Sequence, residues 1–429
     1  MDPGIPPGVR PGVLPGIPLH SRFERMRPTT HLPLDESRVS GPWMRVVPVL
    51  AVAGLMAGCG AAEPPIRVGA TMSESGAYAT QGIPARNGYR LCEAHVNETG
   101  GLLGRPVEFV IHDDASDPAT AVALYERLIS EEGVDAVMGP YGSTLTEAVA
   151  PVTERHRKVH ISPLAATSSI WEQDRRYLFM VLPPAELFLA GLVDMAASRG
   201  LERIAVLEED ALFPRAAGAG AAELARERGL EVVFHERYPS GTDDFTAFLD
   251  RLRADDVQVF GMAASALDDF IVMARQMREQ GVDVAMFGTS GAVSEFQEAL
   301  GETAEFAYGL SAWEPSLPNP GIDDFVEAYR SEFGQEPSFH AAGAYGSCQI
   351  FMEAIRTAGS LEADSIRDVL LALETTTVFG SYAVDERGYQ VANRGTFIQW
   401  QDGEKVVVWP DDVATAAPRF PTPPWAERR

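Results

Sequence analysis

From Ile66 onward, strand-like and helix-like stretches alternate with little between them, and that rhythm restricts the chain to very few folds. The runs IRVGATM (66–72), PVEFVIHDD (106–114), VDAVMGP (134–140) and KVHISPL (158–164) read as strands. Helical stretches separate them: from about Pro84 to Asn97, from Pro118 to Ser130 with Asp117 placed as its N-cap, and from Thr144 to His156. Apolar strands joined by helices lie parallel, with the helices covering both faces of the sheet.

The rhythm restarts after RYLFMVLPP. A helix near 185–199 is followed by strand 203–210, helix 213–229, strand 231–239, helix 243–254, strand 257–263, helix 266–280 and strand 283–290. The fold class is therefore α/β, with two doubly wound parallel-sheet lobes rather than one long sheet. The remainder adds EFAYGLSAW, helices at about 320–333, 339–358 and 363–373, and a β-hairpin, GTFIQWQDGEKVVVWP, turning at Asp402-Gly403. The closing PRFPTPPWAERR, within an extended tail at 409–429, is expected to fray.

The front of the chain is different. Val46–Gly58 gives 13 residues without a charge, too few for a spanning helix, which needs about 20 apolar residues. Arg45 ahead of it and small residues behind it fit an export signal over 44–58. Met56-Ala57-Gly58-Cys59 resembles the lipobox of bacterial lipoproteins, in which the cysteine thiol takes a lipid. Cys59 is thus the expected anchor and 59–65 a short tether. Residues 1–43 are rich in Pro and Gly without apolar periodicity, so they are expected to be disordered, with Met44 the true start. Of the three cysteines, Cys92 and Cys348 remain, both in helical stretches. In an oxidising compartment they can pair; each is equally suited to be a small buried hydrophobe.

Charge narrows the function. With 35 basic against 61 acidic residues the net charge is −26, which opposes nucleic acid, since phosphates need Lys and Arg to neutralise them. No GxSxG elbow, HExxH helix, P-loop or CxxC pair occurs, so an enzyme finds no catalytic constellation, and no cofactor or metal is expected. His112, Asp113 and Asp114 are neighbours on a strand and point to opposite faces, so they do not share an ion. Glu208-Glu209-Asp210 ends a strand and reads as a solvated strand end. Several strand ends carry small hydroxyl residues, at 73–82, 139–147, 162–169 and 288–295. Open α/β sheets bind ligands there, where hydroxyls and free N–H groups suit a small polar or anionic molecule.

The segments IRVGATMSESGAYATQG, VNETGGLLGRPVEFVIHDDASDPATAVALYERLISEEGVDAVMGPYGS, ISPLAATSS, YPSGTDDFTAFLDRLR and YGSCQIFMEAI follow one another in order. Together they resemble the leucine/isoleucine/valine-binding type of periplasmic substrate-binding protein, from about Ile66 to Val408. The resemblance implies a type 1 periplasmic-binding fold: two lobes joined by a hinge that close on a ligand. Lobe I would comprise 66–182 plus about 314–358, and lobe II 185–310 plus part of 359–408. It also implies a monomeric receptor on the periplasmic or extracellular face, delivering a small molecule to an ABC permease. The alternatives are a sensor signalling to a membrane partner and, less favoured, an enzyme on the same scaffold.

Site residues carry over one at a time. Ser143, with Gly142 and Thr144 beside it, stands where such proteins hold a ligand carboxylate. Ala165 or Ala166 and Thr167 stand where they meet an ammonium, with Ser168 as the alternative if the loop slips. Tyr78 keeps the SGxY pattern, Gln81 replaces an aromatic at the pocket mouth, and Phe213 corresponds to the covering aromatic. Ser290 stands where amino-acid binders often place an acid. A buried ammonium without a counter-charge costs several kcal/mol, so either Asp268 or Asp210 compensates or the ligand is an amide, a carboxylic acid or an aromatic acid.

Overall fold

The computed structural model describes residues 63–428, so the expected leader, the residues before it and Cys59 lie outside the described residues. The first sheet contains β1 (Ile66–Met72), β2 (Val107–Asp113), β3 (Ala136–Met138), β4 (His160–Ser162) and β5 (Leu178–Met180). All are parallel, in the order β2-β1-β3-β4-β5. The second contains β6 (Arg203–Glu209), β7 (Glu231–Tyr238), β8 (Val259–Ala263), β9 (Met286–Thr289) and β10 (Tyr308–Ser311), parallel in the order β7-β6-β8-β9-β10. The two orders are one pattern used twice. In each, the chain winds to one side of the first strand and then to the other, so a crevice opens at the C-terminal ends of β1 and β3 and again at those of β6 and β8. The strands are covered on both faces, which is why β1 and β8 read as almost unbroken apolar runs.

In the first lobe α1 (Ala79–Glu98), α2 (Pro118–Ser130) and α3 (Ser143–Arg155) connect the strands. Asp117 caps α2 as expected, accepting from the N–H of Thr120. The start of α1 differs: it begins at Ala79 and keeps Pro84 inside the helix. Its first turn lies directly on the end of β1, where Gly82 approaches so closely that a Cβ would stand 2.0 Å from the Ser73 carbonyl oxygen. Tertiary contact there outweighs the local preference of proline for a helix start. The stretch expected as one helix near 185–199 is a short 3-10 turn, Ala185–Leu187, followed by α4 (Ala190–Ser198).

The second lobe winds through α5 (Leu212–Glu227), α6 (Thr246–Ala254), α7 (Leu267–Gln280) and α8 (Ser294–Leu300). After β10 the chain returns to the first lobe as α9 (Ile322–Phe333), α10 (Phe339–Ala358) and α11 (Ala363–Ala372). There α10 packs along α1, and Cys92 and Cys348 are joined by a disulfide between these two helices. A small hairpin, β11 (Thr375–Thr377) and β12 (Gly380–Tyr382), follows. The chain then crosses again to supply β13 (Thr396–Gln401) and β14 (Glu404–Trp409), which lie antiparallel along the β10 edge. Asp402 and Gly403 both take positive φ, 56° and 82°, as a two-residue hairpin turn requires.

The tail does not fray among the described residues. Arg419 O accepts from Gln399 Nε2 at 2.9 Å, and the Trp425 indole donates to Val282 O at 2.8 Å, so the tail is fastened along the second lobe. Its prolines satisfy this arrangement because side chains and isolated backbone groups make the bonds, with no strand ladder needed. Among the described residues no helix is long and apolar enough to cross a membrane.

Candidate functional site

The C-terminal ends of both sheets face one cleft with about 740 Å³ of space not filled by protein atoms. From the first lobe come Tyr78 and Gln81 after β1, Tyr141 to Leu145 after β3, and Leu164 after β4. Phe339 and His340, the first residues of α10, complete that wall. The second lobe contributes Phe213 after β6, Ala264 to Leu267 and Phe270 after β8, and Ser290, Gly291 and Val293 after β9. Leu182 and Phe188 enter from the crossing between the lobes.

Several helices begin at this cleft, α3 and α7 among them. Gly142, at φ 80°, ends the β3 turn and starts α3, so the first-turn N–H groups of Ser143, Thr144 and Leu145 have no acceptor within the helix. Across from it α7 starts after Ala266. Apart from Gln81, Ser265 and Ser290, most of the remaining lining is aromatic or aliphatic. Tyr78 and Tyr141 pack at 5.4 Å between ring centroids, Tyr141 and His340 at 5.6 Å, and Phe188 and Phe213 edge to face at 4.9 Å. Tyr141 also spans the lobes, its hydroxyl donating to Ser265 O at 3.4 Å. No Asp, Glu, Lys or Arg is among the side chains that line the cleft.

The expected site residues divide. Tyr78, Gln81, Gly142, Ser143, Thr144, Phe213 and Ser290 all line the cleft. Ala165, Ala166 and Thr167 do not: they are buried one layer behind, where the Ser143 hydroxyl accepts from the N–H groups of Ala166 at 3.1 Å and Thr167 at 3.3 Å. Ser168 is turned to the lobe crossing, donating to Glu186 at 2.5 Å. The two acids expected to compensate for Ser290 are also elsewhere. Asp268 is exposed on α7, and Asp210 is exposed and pairs with Arg215. The Ser290 hydroxyl braces the turn after β8, accepting from Ala264 N–H at 3.2 Å.

Their sequence neighbours hold the buried acids. Glu209 accepts from Ser240 Oγ at 2.5 Å and from Ser265 N–H at 2.8 Å, while Asp269 accepts from the Tyr238 hydroxyl at 2.7 Å. Glu208 is wholly buried beneath Arg237 and His235, so of the three acids ending β6 only Asp210 is a solvated strand end. Burial pushes the Asp269 carboxyl up to about 6, with the nearby charge of Glu209 adding to the effect. Burial likewise raises the Tyr78 hydroxyl, followed by the charges of Glu209 and Asp269. His340 is pulled down to about 3 by burial and then by the Lys405 charge, so its imidazole is neutral near pH 7.

Tyr141 lay inside the GPYGS segment and is legible there as part of the turn. Phe188, Phe270, Phe339 and His340 carry no comparable signal, since only the lobe crossing, for Phe188, and the packing of α7 and α10, for the others, bring them to the cleft. His112, Asp113 and Asp114 go to separate partners: Glu132, the 74–75 turn with Ser75, and Thr71 with Ser73.

Comparisons with known proteins agree with this architecture. The sequence profile of the periplasmic binding protein family matches residues 65–405. The chain is 26% identical over 393 residues to Leu/Ile/Val-binding protein homolog 7 of Brucella suis, covering 87% of this chain and 98% of that one. The leucine binding protein LivK of Thermotoga maritima superposes with a TM-score of 0.74 at 22% identity, covering 81% of this chain and 99% of the other. A solute binding protein of an ABC transporter from Rhodopseudomonas palustris, in complex with 3,4-dihydroxybenzoic acid, gives 0.69 at 24%, covering 80% and 95%. With two lobes of one strand order closing on a shared cleft, and with that profile spanning nearly all the described residues, the chain belongs to the periplasmic binding protein family, in its type 1 form.

Proposed function

We propose that this protein is an extracytoplasmic receptor, lipid-anchored through Cys59, that traps a small carboxylic acid with an apolar or aromatic body for an ABC-type importer. One observation carries the ligand class: helix N-termini open onto the cleft, yet no charged side chain lines it. A carboxylate is well served by free N–H groups and the positive end of a helix dipole. The aromatic lining takes the body of the ligand. An α-ammonium would stand in the same cleft without a counter-charge, which costs several kcal/mol. In this reading Ser143 and Thr144 hold the carboxylate and Phe213 covers the ligand. The disulfide fits an oxidising compartment.

The Brucella and Thermotoga relatives are named for branched-chain amino acids, which makes leucine the competing ligand class. A thermal-shift screen of the purified protein against leucine, isoleucine, valine, aliphatic acids and benzoates separates the two. A true ligand at 100 times its Kd adds about 2.7 kcal/mol of stability. Acids are expected to shift the protein and the three amino acids are not; strong shifts from all three amino acids would defeat the reading. Ser143→Ala is expected to remove the acid-induced shift.

A further inference from the structure

Tyr141, in the turn between β3 and α3, donates its hydroxyl at 3.4 Å to the carbonyl of Ser265, in the turn between β8 and α7. Three connections join the lobes, at 181–189, 312–321 and 383–395. Apart from the bonds those connections make, this is the one hydrogen bond among the described residues that runs from one lobe to the other. Tyr141 immediately precedes Gly142 at the start of α3, and Ser265 immediately precedes Ala266 at the start of α7. The bond therefore forms only when the two helix starts face each other. Both ends are held in place. The Tyr141 ring packs on Tyr78 at 5.4 Å and on His340 at 5.6 Å. In the second lobe Glu209 accepts from the Ser265 N–H at 2.8 Å and is itself fixed by Ser240 Oγ at 2.5 Å. Ser290 Oγ accepts from the Ala264 N–H at 3.2 Å, so the turn is braced on two sides and the Ser265 carbonyl is left for the facing lobe. Burial, followed by the neighbouring Tyr78 and the charge of Glu209, raises the Tyr141 hydroxyl, so it stays protonated and donates.

Two lobes that close on a ligand divide their time between open and closed forms, and a contact made only in the closed form shifts that balance. The Tyr141–Ser265 bond is such a contact, since with the lobes apart both groups return to water. We propose that Tyr141 is a closure latch, holding the cleft shut through the second lobe's backbone rather than through the ligand. Its acceptor is a peptide carbonyl, so the latch acts whatever fills the cleft, and the closed form is populated without ligand. The net worth of one such bond corresponds to about a two- to twelvefold change in the balance. A ligand that needs the closed form gains the same factor in affinity while the open form dominates. This inference rests on the two-lobed trap and not on the carboxylate reading of the cleft.

The test is the distance between two nitroxide labels, measured by double electron–electron resonance on the full-length protein without ligand. Thr80→Cys, exposed on the first turn of α1, and Asp243→Cys, exposed after β7, place one label on each lobe near the strand ends. Cys59→Ser keeps the label from a third site, and the Cys92–Cys348 disulfide stays intact. The protein with Tyr141 in place is expected to give two distances, the shorter from the closed form. Tyr141→Phe keeps the ring and its packing and removes only the hydroxyl, so it folds and its ratio of short to long distance is expected to fall about threefold or more. A single long distance with Tyr141 in place overturns the inference, because the lobes would then not close on their own contacts. A ratio that Tyr141→Phe leaves unchanged overturns it as well. No ligand is present, so either failure leaves the carboxylate reading standing, and failure of that reading in the thermal-shift screen leaves the latch standing.

Discussion

The two walls of the cleft come from the same strand order, yet their surfaces differ. At the ends of β1 and β3 the first lobe presents Tyr78, Gln81, Ser143 and Thr144, and α10 adds His340. At the equivalent ends of β6 and β8 the second lobe presents Phe213, the Ala264–Ser265–Ala266 turn and Phe270. Its acids are near but occupied, Glu209 with Ser240 and Ser265, and Asp269 with Tyr238. The first lobe is also stapled by a disulfide, and the second has none among the described residues. A repeated topology fixes where a ligand can sit; the side chains at the strand ends decide which lobe recognises it and which one covers it.

The largest effect expected from breaking this contrast concerns the staple. The disulfide closes a loop with a sequence separation of 256, so replacing both cysteines by serine should cost about 2–5 kcal/mol in urea unfolding. A loss below about 1 kcal/mol would mean that packing of α1 on α10 alone holds the first lobe.

Next comes the cover. Phe213 is only half-buried and packs on Phe188, so Phe213→Ala should leave the free protein's Tm nearly unchanged. Its ligand affinity should fall about ten- to hundredfold, equivalent to about 1.4–2.8 kcal/mol. An unchanged Kd would remove the second lobe's aromatic from the site.

The buried acid gives a smaller, pH-dependent effect. Asp269 titrates at about 6 in the folded protein and near 3.9 when unfolded. The folded state thus holds the proton more tightly, and the stability this confers is complete below pH 4 and lost as the pH rises through 6. Asp269→Asn keeps an acceptor for Tyr238 but cannot ionise. Its stability relative to the unaltered protein should therefore increase between pH 4 and pH 7, by about 1–2 kcal/mol. A constant difference across that range would show that the carboxyl is not strained. Smallest is Asp268→Ala: the side chain is exposed on the far side of α7's first turn, so ligand affinity should change by less than about threefold.

The pair Asp268 and Asp269 shows what could be read in advance. Both stand in one helical turn, yet Asp268 is exposed and Asp269 is buried on Tyr238, because a step of one residue rotates the side chain about 100° around a helix. Glu209 and Asp210 repeat the lesson at the end of β6. Asp117, the Asp402-Gly403 turn and the extent of α10 were legible because local chemistry alone determines them. Tyr78 and Ser143 were legible because strand ends in a doubly wound sheet converge, whereas Phe213 was expected only from the family resemblance. His340 was not, since α10 reaches the cleft only by crossing back from the second lobe to lie on α1.

Sequence by itself determined the alternation of elements, hence two parallel sheets and a ligand crevice at their strand ends, because apolar periodicity and turn chemistry act over a few residues. Tertiary structure decided the rest. It joined Cys92 to Cys348, turned the acids of α7 and β6 away from the cleft, fastened the proline-rich tail, and brought His340 to the first lobe's wall of the cleft. Those outcomes depend on contacts between segments far apart in the chain, and local sequence carries no record of which distant surface a side chain will meet.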